Sequence, residues 1–323
     1  MSEADGDSNC QPVLQICDPH MHCWDAQEKV TKFNNHILGD CGSYLPSDYR
    51  ADMQLTGGDL KLRACVHVEA FPTDQVEETR WIQSLRSEEF PVAAIVANAN
   101  ISLQKENDKS HSTQAEGMEA LEDVLARHKA SAPELLKGIR WVLNYEPNWP
   151  QTHRGDYFTC PHFRKGFEKL QEYGLRFDLQ LNPHQMKDAA AFFREFPDVP
   201  VVLDHIGCPL PTDNIEAWQE GLKALAALPH VFCKLSMLAY TVPDWWLSDD
   251  GKAKAKTYVR STIDIFGPER CMFASNFPAE PAGIGRKELW RNFADMVADL
   301  PQDSRDALFF GTAERFYGID PTH

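Results

Sequence analysis

The chain has 323 residues, of which 43% are hydrophobic and 25% charged, an ordinary balance for a globular protein. Its net charge of −16 and its pI near 5.2 argue against nucleic acids and anionic membranes as partners, because both repel an acidic surface. The sequence contains no apolar run close to the roughly 20 residues that span a bilayer. We therefore expect neither a nucleic acid nor a membrane among its partners.

Residues 1–12 are acidic and polar, and they predict a disordered tail ahead of a single domain over residues 13–320. The 9 cysteines are scattered and include no Cys-x-x-Cys pair. An odd number of cysteines without the spacing of a disulfide framework is typical of proteins in a reducing compartment. The expected location is therefore cytoplasmic. If the chain oligomerises, we expect a homodimer, the commonest assembly.

Apolar, β-rich segments alternate with helical patterns along the chain. The strand-like segments are VLQICDPH, RACVHVEA, VAAIVANA, GIRWVLN, RFDLQLN, VPVVLDH, VFCKLSML and RCMFASN. Between them, Asp74 is a predicted helix N-cap, and Gly174 and Gly267 stand at predicted helix C-termini. A strand followed by a helix, eight times over about 300 residues, predicts an α/β fold, the (β/α)8 TIM barrel. An open doubly wound sheet is the alternative, but no Gly-x-Gly-x-x-Gly motif follows the first strand.

Polar side chains follow the predicted strands at their C-terminal ends, where the active sites of barrels lie. These residues are His20, His22, Glu69, Asn144, Asn182, His184, His205, Ser236 and Asn276. In CDPHMHCW, period-two alternation places His20 and His22 on one face of the first strand. Imidazoles are ligands that zinc accepts, and a catalytic zinc site needs about three protein ligands and an open position. Buried histidines bonded to the backbone are the alternative interpretation.

The sequence resembles the amidohydrolase superfamily, in particular its branch of TIM-barrel lactonases. The segments that carry the resemblance are ICDPHMHCWD, YLPSDYRADM, GIRWVLNYEP, GLRFDLQLNPHQM, VVLDHIGCP, VFCKLSML, ERCMFASNFP and GTAERFYGI. The resemblance implies a hydrolase in which an activated water opens a cyclic ester. It implies a small polar or anionic substrate, either a sugar lactone or a carboxylated lactone. The last segment, GTAERFYGI, is interpreted as a closing helix.

The resemblance also implies a set of metal ligands. These residues are His20, His22, His184 and His205, which would hold one divalent ion, zinc first. Metal-free catalysis is the alternative, since members of this branch differ on that point. GIRWVLN contains no lysine, and Lys137 is expected to precede the strand, so the resemblance does not imply a lysine-bridged pair of metal ions.

Asn276 departs from the pattern that the resemblance implies. It stands where the family carries an aspartate that binds metal and acts as general base, and an amide cannot accept a proton at neutral pH. The residues to which we assign catalytic roles are His184, His205, Asn276 and Glu69. The base is predicted to be Glu69 or a histidine, with Glu280 as a further candidate that would swing in from beyond strand 8.

Substrate contacts are predicted for a second set of residues. They are Arg140, Asn144, Ser236, Arg154 and Tyr157. Arg140 either holds a substrate carboxylate or pairs with Glu69 across the barrel, and both interpretations stay open. Lys234 shares a face of strand 7 with Ser236 and is a further candidate. Alternation turns Asp204 away from His205, so Asp204 is expected to brace a neighbouring element.

Two other functions remain open. Related members of the superfamily decarboxylate unsaturated or aromatic acids at a single zinc ion, and release of CO2 would distinguish them from a lactonase. The loss of the strand 8 aspartate at Asn276 raises a third hypothesis, a non-catalytic barrel that binds a small molecule. Four histidines at the ends of three strands argue against it, because a decayed site has no reason to keep them.

Overall fold

A computed structural model describes residues 13–25, 42–54, 59–103, 114–147, 154–280 and 283–320. These ranges form one barrel. The tail predicted over residues 1–12 lies outside the described residues.

Eight parallel strands follow one another around the barrel in sequence order. They are β1 (Leu14–Met21), β2 (Leu60–Val68), β3 (Val92–Asn98), β4 (Leu136–Val142), β5 (Arg176–Gln180), β6 (Val201–Leu203), β7 (Val231–Leu235) and β8 (Cys271–Phe273). The backbone N–H of Asn276 donates to His20 and that of His22 donates to Phe277, both at 2.8 Å, so the seam between β8 and β1 closes at the predicted site. The predicted TIM barrel is confirmed. Lys137 is the second residue of β4 and does not precede the strand as expected.

Helices surround the strands, and the last of them packs against the interior of the barrel. They are α1 (Pro46–Gln54), α2 (Gln75–Leu85), α3 (Gln114–Ser131), α4 (Pro161–Tyr173), α5 (Met186–Phe193), α6 (Ile215–Ala226), α7 (Leu238–Thr241), α8 (Asp249–Phe266), α9 (Arg286–Met296), α10 (Gln302–Asp306) and α11 (Thr312–Tyr317), with a π-helical segment at Ala307–Gly311. Asp74 caps α2 as predicted, accepting from the backbone N–H groups of Val76 and Glu77. Gly174 ends α4 at a φ of 64°, a left-handed conformation that suits glycine. The sequence analysis did not predict α1.

The barrel has a core on each side of its strands. Inside, small and branched side chains such as Val66, Val96 and Val202 pack against Phe316 and Tyr317 of the C-terminal helix. Outside, alternate strand residues pack against the surrounding helices. The closing helix predicted from GTAERFYGI is therefore confirmed. Its Tyr317 also reaches into the barrel, where its hydroxyl donates to Asp178.

Asp18 joins the first and last strands beneath the site. Its carboxylate accepts hydrogen bonds from the Ser275 backbone N–H at 3.0 Å, the Ser275 hydroxyl at 2.6 Å and the Tyr49 hydroxyl at 2.9 Å. Burial raises the pKa of Asp18, and these three donors oppose that shift. Asp18 therefore holds the seam that carries His20 and Asn276.

No helix within the described ranges is long and apolar enough to cross a membrane. The cysteines that the structure describes are free and buried. They are Cys17, Cys23, Cys65, Cys160, Cys208, Cys233 and Cys271.

Candidate active site

Three of the four predicted histidine ligands meet at the carboxyl end of the barrel. The ring centroid of His20 lies 4.6 Å from that of His205 and 5.0 Å from that of His22. All three side chains are buried. Burial lowers the pKa of each ring, to about 3 for His205, so all three are neutral at pH 7.

Asp204 joins this group, contrary to the expectation that it faces away. The Asp204 carboxylate is buried, 3.4 Å from His20 Nδ1. The strand ends at Leu203, and the backbone then takes left-handed conformations, with φ of 56° at His205 and 50° at Ile206. These angles are unusual for residues with side chains, and they turn His205 inward beside Asp204. Alternation failed here because it was applied past the end of the strand.

His20, Asp204 and His205 fit a mononuclear metal site. Their ligand atoms all lie within 4.8 Å of one another. His20 Nε2 and Asp204 Oδ2 are buried and have no hydrogen-bond partner among the described residues, as expected of atoms reserved for a ligand, whereas Asp204 Oδ1 lies 3.0 Å from Lys234 Nζ. Two imidazoles and one carboxylate are a donor set that catalytic zinc sites use, with a fourth position left open.

His22 and Asn276 form a separate pair beside this group. Nδ1 of His22 donates to the Val68 carbonyl at 2.7 Å, so a neutral ring carries only a lone pair at Nε2. The Asn276 side-chain amide lies against Nε2, at 3.3 Å from its oxygen, and bonds that lone pair when its NH2 group is turned toward it. With its NH2 group in that orientation, the Asn276 amide would compete with a metal ion for His22.

His184 does not meet the other histidines. Its side chain is 56% exposed, and Nδ1 lies 3.7 Å from Glu146. The turn that carries it is fixed by Asn182 and Gln185, which form a capping box after β5. His184 also lines a surface groove of about 300 Å³ with Lys187. The structure thus places His184 apart from His20, Asp204 and His205, although the resemblance implies that His184 is a metal ligand.

Glu69 and Arg140 form a buried ion pair. Arg140 donates from Nε to the Glu69 carboxylate at 2.7 Å and from Nη2 to the Glu69 carbonyl at 2.6 Å. The second carboxylate oxygen accepts from the Phe71 backbone N–H at 2.8 Å and from Asn98 at 3.2 Å. The pairing interpretation of Arg140 is therefore the one that the structure shows. Glu69 has both oxygens engaged, which removes the basis for making it the general base.

Glu280 is buried against the loop that follows β7. One carboxylate oxygen accepts from the Ala239 backbone N–H at 3.4 Å, near the start of α7. Burial raises the pKa of Glu280 to about 7, and the backbone donors oppose this shift. The Glu280 side chain holds this loop in place. It does not extend over the site, in contrast to the expectation that it would swing in.

The predicted substrate contacts occupy different surroundings. The Ser236 hydroxyl lies 2.8 Å from His205 Nδ1 and so orients a member of the group. Asn144 is buried and donates to Asn182. Arg154 pairs with Asp156, and the guanidinium lies 5.7 Å from the ring of Tyr157, which packs on the aromatic residues of α4. Contact of these residues with substrate stays a prediction.

A network of charged side chains lies beneath the histidines, and the sequence analysis did not predict most of it. Lys234 Nζ lies 2.5 Å from Asp178 and 3.0 Å from Asp204. Tyr317 donates to Asp178 at 2.9 Å. Burial alone would raise the pKa of Asp204, but the Lys234 ammonium and the neighbouring imidazoles hold it well below its usual value. The available signal was a charged residue in the middle of each buried strand, RFDLQLN and VFCKLSML.

The comparisons with known proteins agree with this geometry. The family described as Amidohydrolase matches residues 109–319. An uncharacterized protein of Sinorhizobium fredii, y4mH, is 29% identical over 322 residues, which cover 95% of this chain and 99% of that protein. An L-fucono-1,5-lactonase of Burkholderia ambifaria is 27% identical over 315 residues, 94% of this chain and 95% of that one.

The fold has solved counterparts. A crystal structure of an amidohydrolase from Burkholderia multivorans with bound zinc matches with a TM-score of 0.73 and 25% identity, over 95% of this chain and 100% of that one. The same protein with bound HEPES matches with a TM-score of 0.74. The sequence, the barrel and its histidine-bearing strand ends lead to one conclusion: this chain belongs to the amidohydrolase family.

Proposed function

We propose that the chain is a lactonase that hydrolyses a neutral sugar lactone. The observation that carries the proposal is the buried group of His20, Asp204 and His205 at the carboxyl end of a hydrolase-family barrel. The similarity to an L-fucono-1,5-lactonase over nearly the full length of both chains supports a cyclic ester as substrate.

The charges around the site favour a neutral ring over a carboxylated one. Among the residues that the structure describes, the predicted cations for a substrate carboxylate are already paired with Glu69, with Asp178 and Asp204, and with Asp156. They are Arg140, Lys234 and Arg154. A carboxylate entering this site would meet three ion pairs that already satisfy their cations, and it would lose its hydration without an equal replacement. Hydroxyl groups need only the amide and imidazole donors that the site offers.

The side chains provide a route for water addition. In the tautomer in which His205 Nδ1–H donates to the Ser236 hydroxyl oxygen, Nε2 carries the lone pair that takes a proton from water. The water oxygen bonds to the lactone carbonyl carbon as that proton passes to His205, and the adjacent Asp204 carboxylate stabilises the imidazolium. The ring C–O bond then breaks, and the proton returns to the leaving ring oxygen. The product is a hydroxy acid, which releases one proton at neutral pH.

The donor set accommodates a metal cofactor at the same place. His20, Asp204 and His205 would hold a zinc ion, which supplies Lewis-acid polarisation of the carbonyl oxygen. His205 and Ser236 keep their mutual orientation in either case, since Ser236 contacts the nitrogen that faces away from the ligand.

A proton-release assay tests the proposal. Purified protein is mixed with five- and six-membered aldonolactones and with matched lactones that carry a terminal carboxylate, and acid release is followed at constant pH. We expect catalysed opening of a neutral lactone, with the carboxylated analogue at least tenfold lower in kcat/KM, and loss of activity in His205→Ala.

Three results would contradict the proposal. Turnover that survives unchanged in His205→Ala would place the chemistry elsewhere. CO2 release from an unsaturated acid, without lactone opening, would identify a decarboxylase. Binding of a lactone without any turnover would identify a binding protein.

A further inference from the structure

Lys234 is the one charged side chain that contacts both His20 and Asp204 among the residues the structure describes. It is fully buried on β7, and its Nζ lies 3.1 Å from His20 Nδ1, 2.5 Å from Asp178 and 3.0 Å from Asp204. An ammonium group has three N–H donors and no acceptor. Its three protons therefore match three acceptors around it.

The contact with His20 decides which nitrogen of that ring carries the proton. Because Lys234 can only donate, His20 Nδ1 must accept, and the neutral ring then has its proton on Nε2. Nε2 is buried and has no hydrogen-bond partner among the described side chains and backbone groups. His20 thus presents an N–H donor that no described protein group uses.

Asp204 favours the opposite tautomer. Its carboxylate lies 3.4 Å from the same His20 Nδ1. If that oxygen accepted a hydrogen bond from Nδ1–H, the proton would stay on Nδ1 and Nε2 would carry the lone pair that a metal ion requires. The 3.1 Å contact from Lys234 is the closer of the two and has hydrogen-bonding geometry, so it prevails in this structure.

We propose that Lys234 is a positioning residue that holds His20 as an Nε2–H donor and thereby weakens metal binding by the His20–Asp204–His205 group. In this state His20 stabilises the oxyanion that forms on the lactone carbonyl, a role that needs a donor and no metal ion. Only this last statement rests on the proposed function. The tautomer and its effect on metal affinity stand on the contacts of Lys234 alone.

The surroundings explain how a lysine is retained there. Asp178 and Asp204 supply two carboxylates to one ammonium, and the Tyr317 hydroxyl donates to Asp178. The ring of Tyr317 also lies 5.6 Å from Nζ. A buried charge is tolerated when it is paired and hydrogen-bonded in this way. These contacts also fix Nζ in position against His20.

The first test measures the tautomer directly. Metal-free protein with 15N-labelled histidine is examined by NMR at pH 7.5, and the His20 signals are identified by their loss in His20→Gln. We expect a pyrrole-like Nε2 and a pyridine-like Nδ1. The reverse assignment would overturn the proposal, whether or not the protein opens lactones.

The second test measures zinc affinity, with zinc chloride in competition with a chromophoric chelator. The variant is Lys234→Met combined with Asp178→Asn, which removes one charge of each sign and so limits the damage to folding. We expect zinc to bind at least tenfold more tightly than to wild type, and His20 to change to the Nδ1–H form. Lys187→Met, which removes an exposed lysine paired with Glu220, is the matched control and should leave both unchanged.

Unchanged zinc affinity together with an unchanged tautomer in the folded double variant would overturn the proposal. Neither test uses a lactone, so the two proposals can fail separately. A wild-type protein with the Nε2–H tautomer but no lactonase activity would contradict the proposed function and support the role of Lys234. Lactonase activity with the Nδ1–H tautomer would do the reverse.

Discussion

His184 and His205 look equivalent in the sequence but have opposite surroundings in the structure. Each follows a strand of the barrel, yet His184 is 56% exposed beside Glu146, whereas His205 is buried against His20. After β5 the chain enters a capped turn, and His184 is the fourth residue past the strand. After β6 the backbone enters the left-handed region at His205, two residues past the strand. Distance past the strand end and backbone handedness, more than residue type, decide which histidine enters the site.

The largest expected effect separates these two histidines. His205→Ala should lower kcat/KM for the best lactone by about 10³-fold, because the proton acceptor and a buried contact of the site are both lost. His184→Ala should lower it by less than about 5-fold, as expected of an exposed side chain outside the group. Steady-state kinetics of both variants, with circular dichroism to confirm folding, make the comparison. Equal losses of kcat/KM in the two variants would contradict the prediction that His205, and not His184, belongs to the site.

Two lysines provide a parallel comparison in stability. Lys234→Met should lower the free energy of unfolding by about 3–5 kcal/mol, because it leaves two buried carboxylates without their cation. Lys187→Met removes an exposed ion pair and should change stability by less than about 0.5 kcal/mol. Urea unfolding at pH 7.5 measures both. A small effect at Lys234 would show that the network is not an ion pair in solution.

Glu280 should reveal itself through the pH dependence of stability. Burial raises the pKa of Glu280 to about 7, so its folded form binds a proton more readily than its unfolded form. Stability from this group is present below about pH 4.5 and is lost as pH rises through about 7. Glu280→Gln keeps an acceptor for Ala239 and should be more stable than wild type by about 3 kcal/mol at pH 8. At pH 4 we expect the two proteins to have equal stability, and a gain that persists there would contradict the burial of the charge.

His205 should have the opposite pH dependence. Burial lowers the pKa of His205 to about 3, so the unfolded chain binds a proton that the folded chain refuses. The stability from this group is present above about pH 6.5 and is lost as pH falls toward 3. Between pH 6 and 5, His205→Gln should reduce the slope of unfolding free energy by about 1.4 kcal/mol per pH unit. An unchanged slope would mean that the imidazole is solvated in the folded protein.

Most of the fold could be predicted because its signals are local. Alternating strand residues, the cap at Asp74 and the glycine at Gly174 each act within a few residues, and the structure confirms them. The general position of the site follows too, since a parallel barrel brings all carboxyl strand ends together. This is why His20, His22 and His205 could be predicted as neighbours.

The partners of those histidines could not be predicted in the same way. Alternation holds only inside a strand, and β6 ends at Leu203, so the positions of Asp204 and His205 depend on a turn that sequence periodicity does not encode. Lys234 meets Asp178 only because β5 and β7, with β6 between them, direct these two side chains to the same place inside the barrel. Such contacts depend on tertiary geometry. A charged residue inside an apolar strand is the one sequence sign of them.

In the proposed site the carboxylate comes from Asp204, the residue that follows β6, while Asn276, past the end of β8, contributes only an amide. The most direct measurement is kcat/KM for the best neutral lactone in Asp204→Asn and Asn276→Ala, side by side. We expect kcat/KM to fall at least about 10²-fold in Asp204→Asn and less than about 10-fold in Asn276→Ala. The reverse order would contradict the role of Asp204 and would place the catalytic residue after β8, at Asn276.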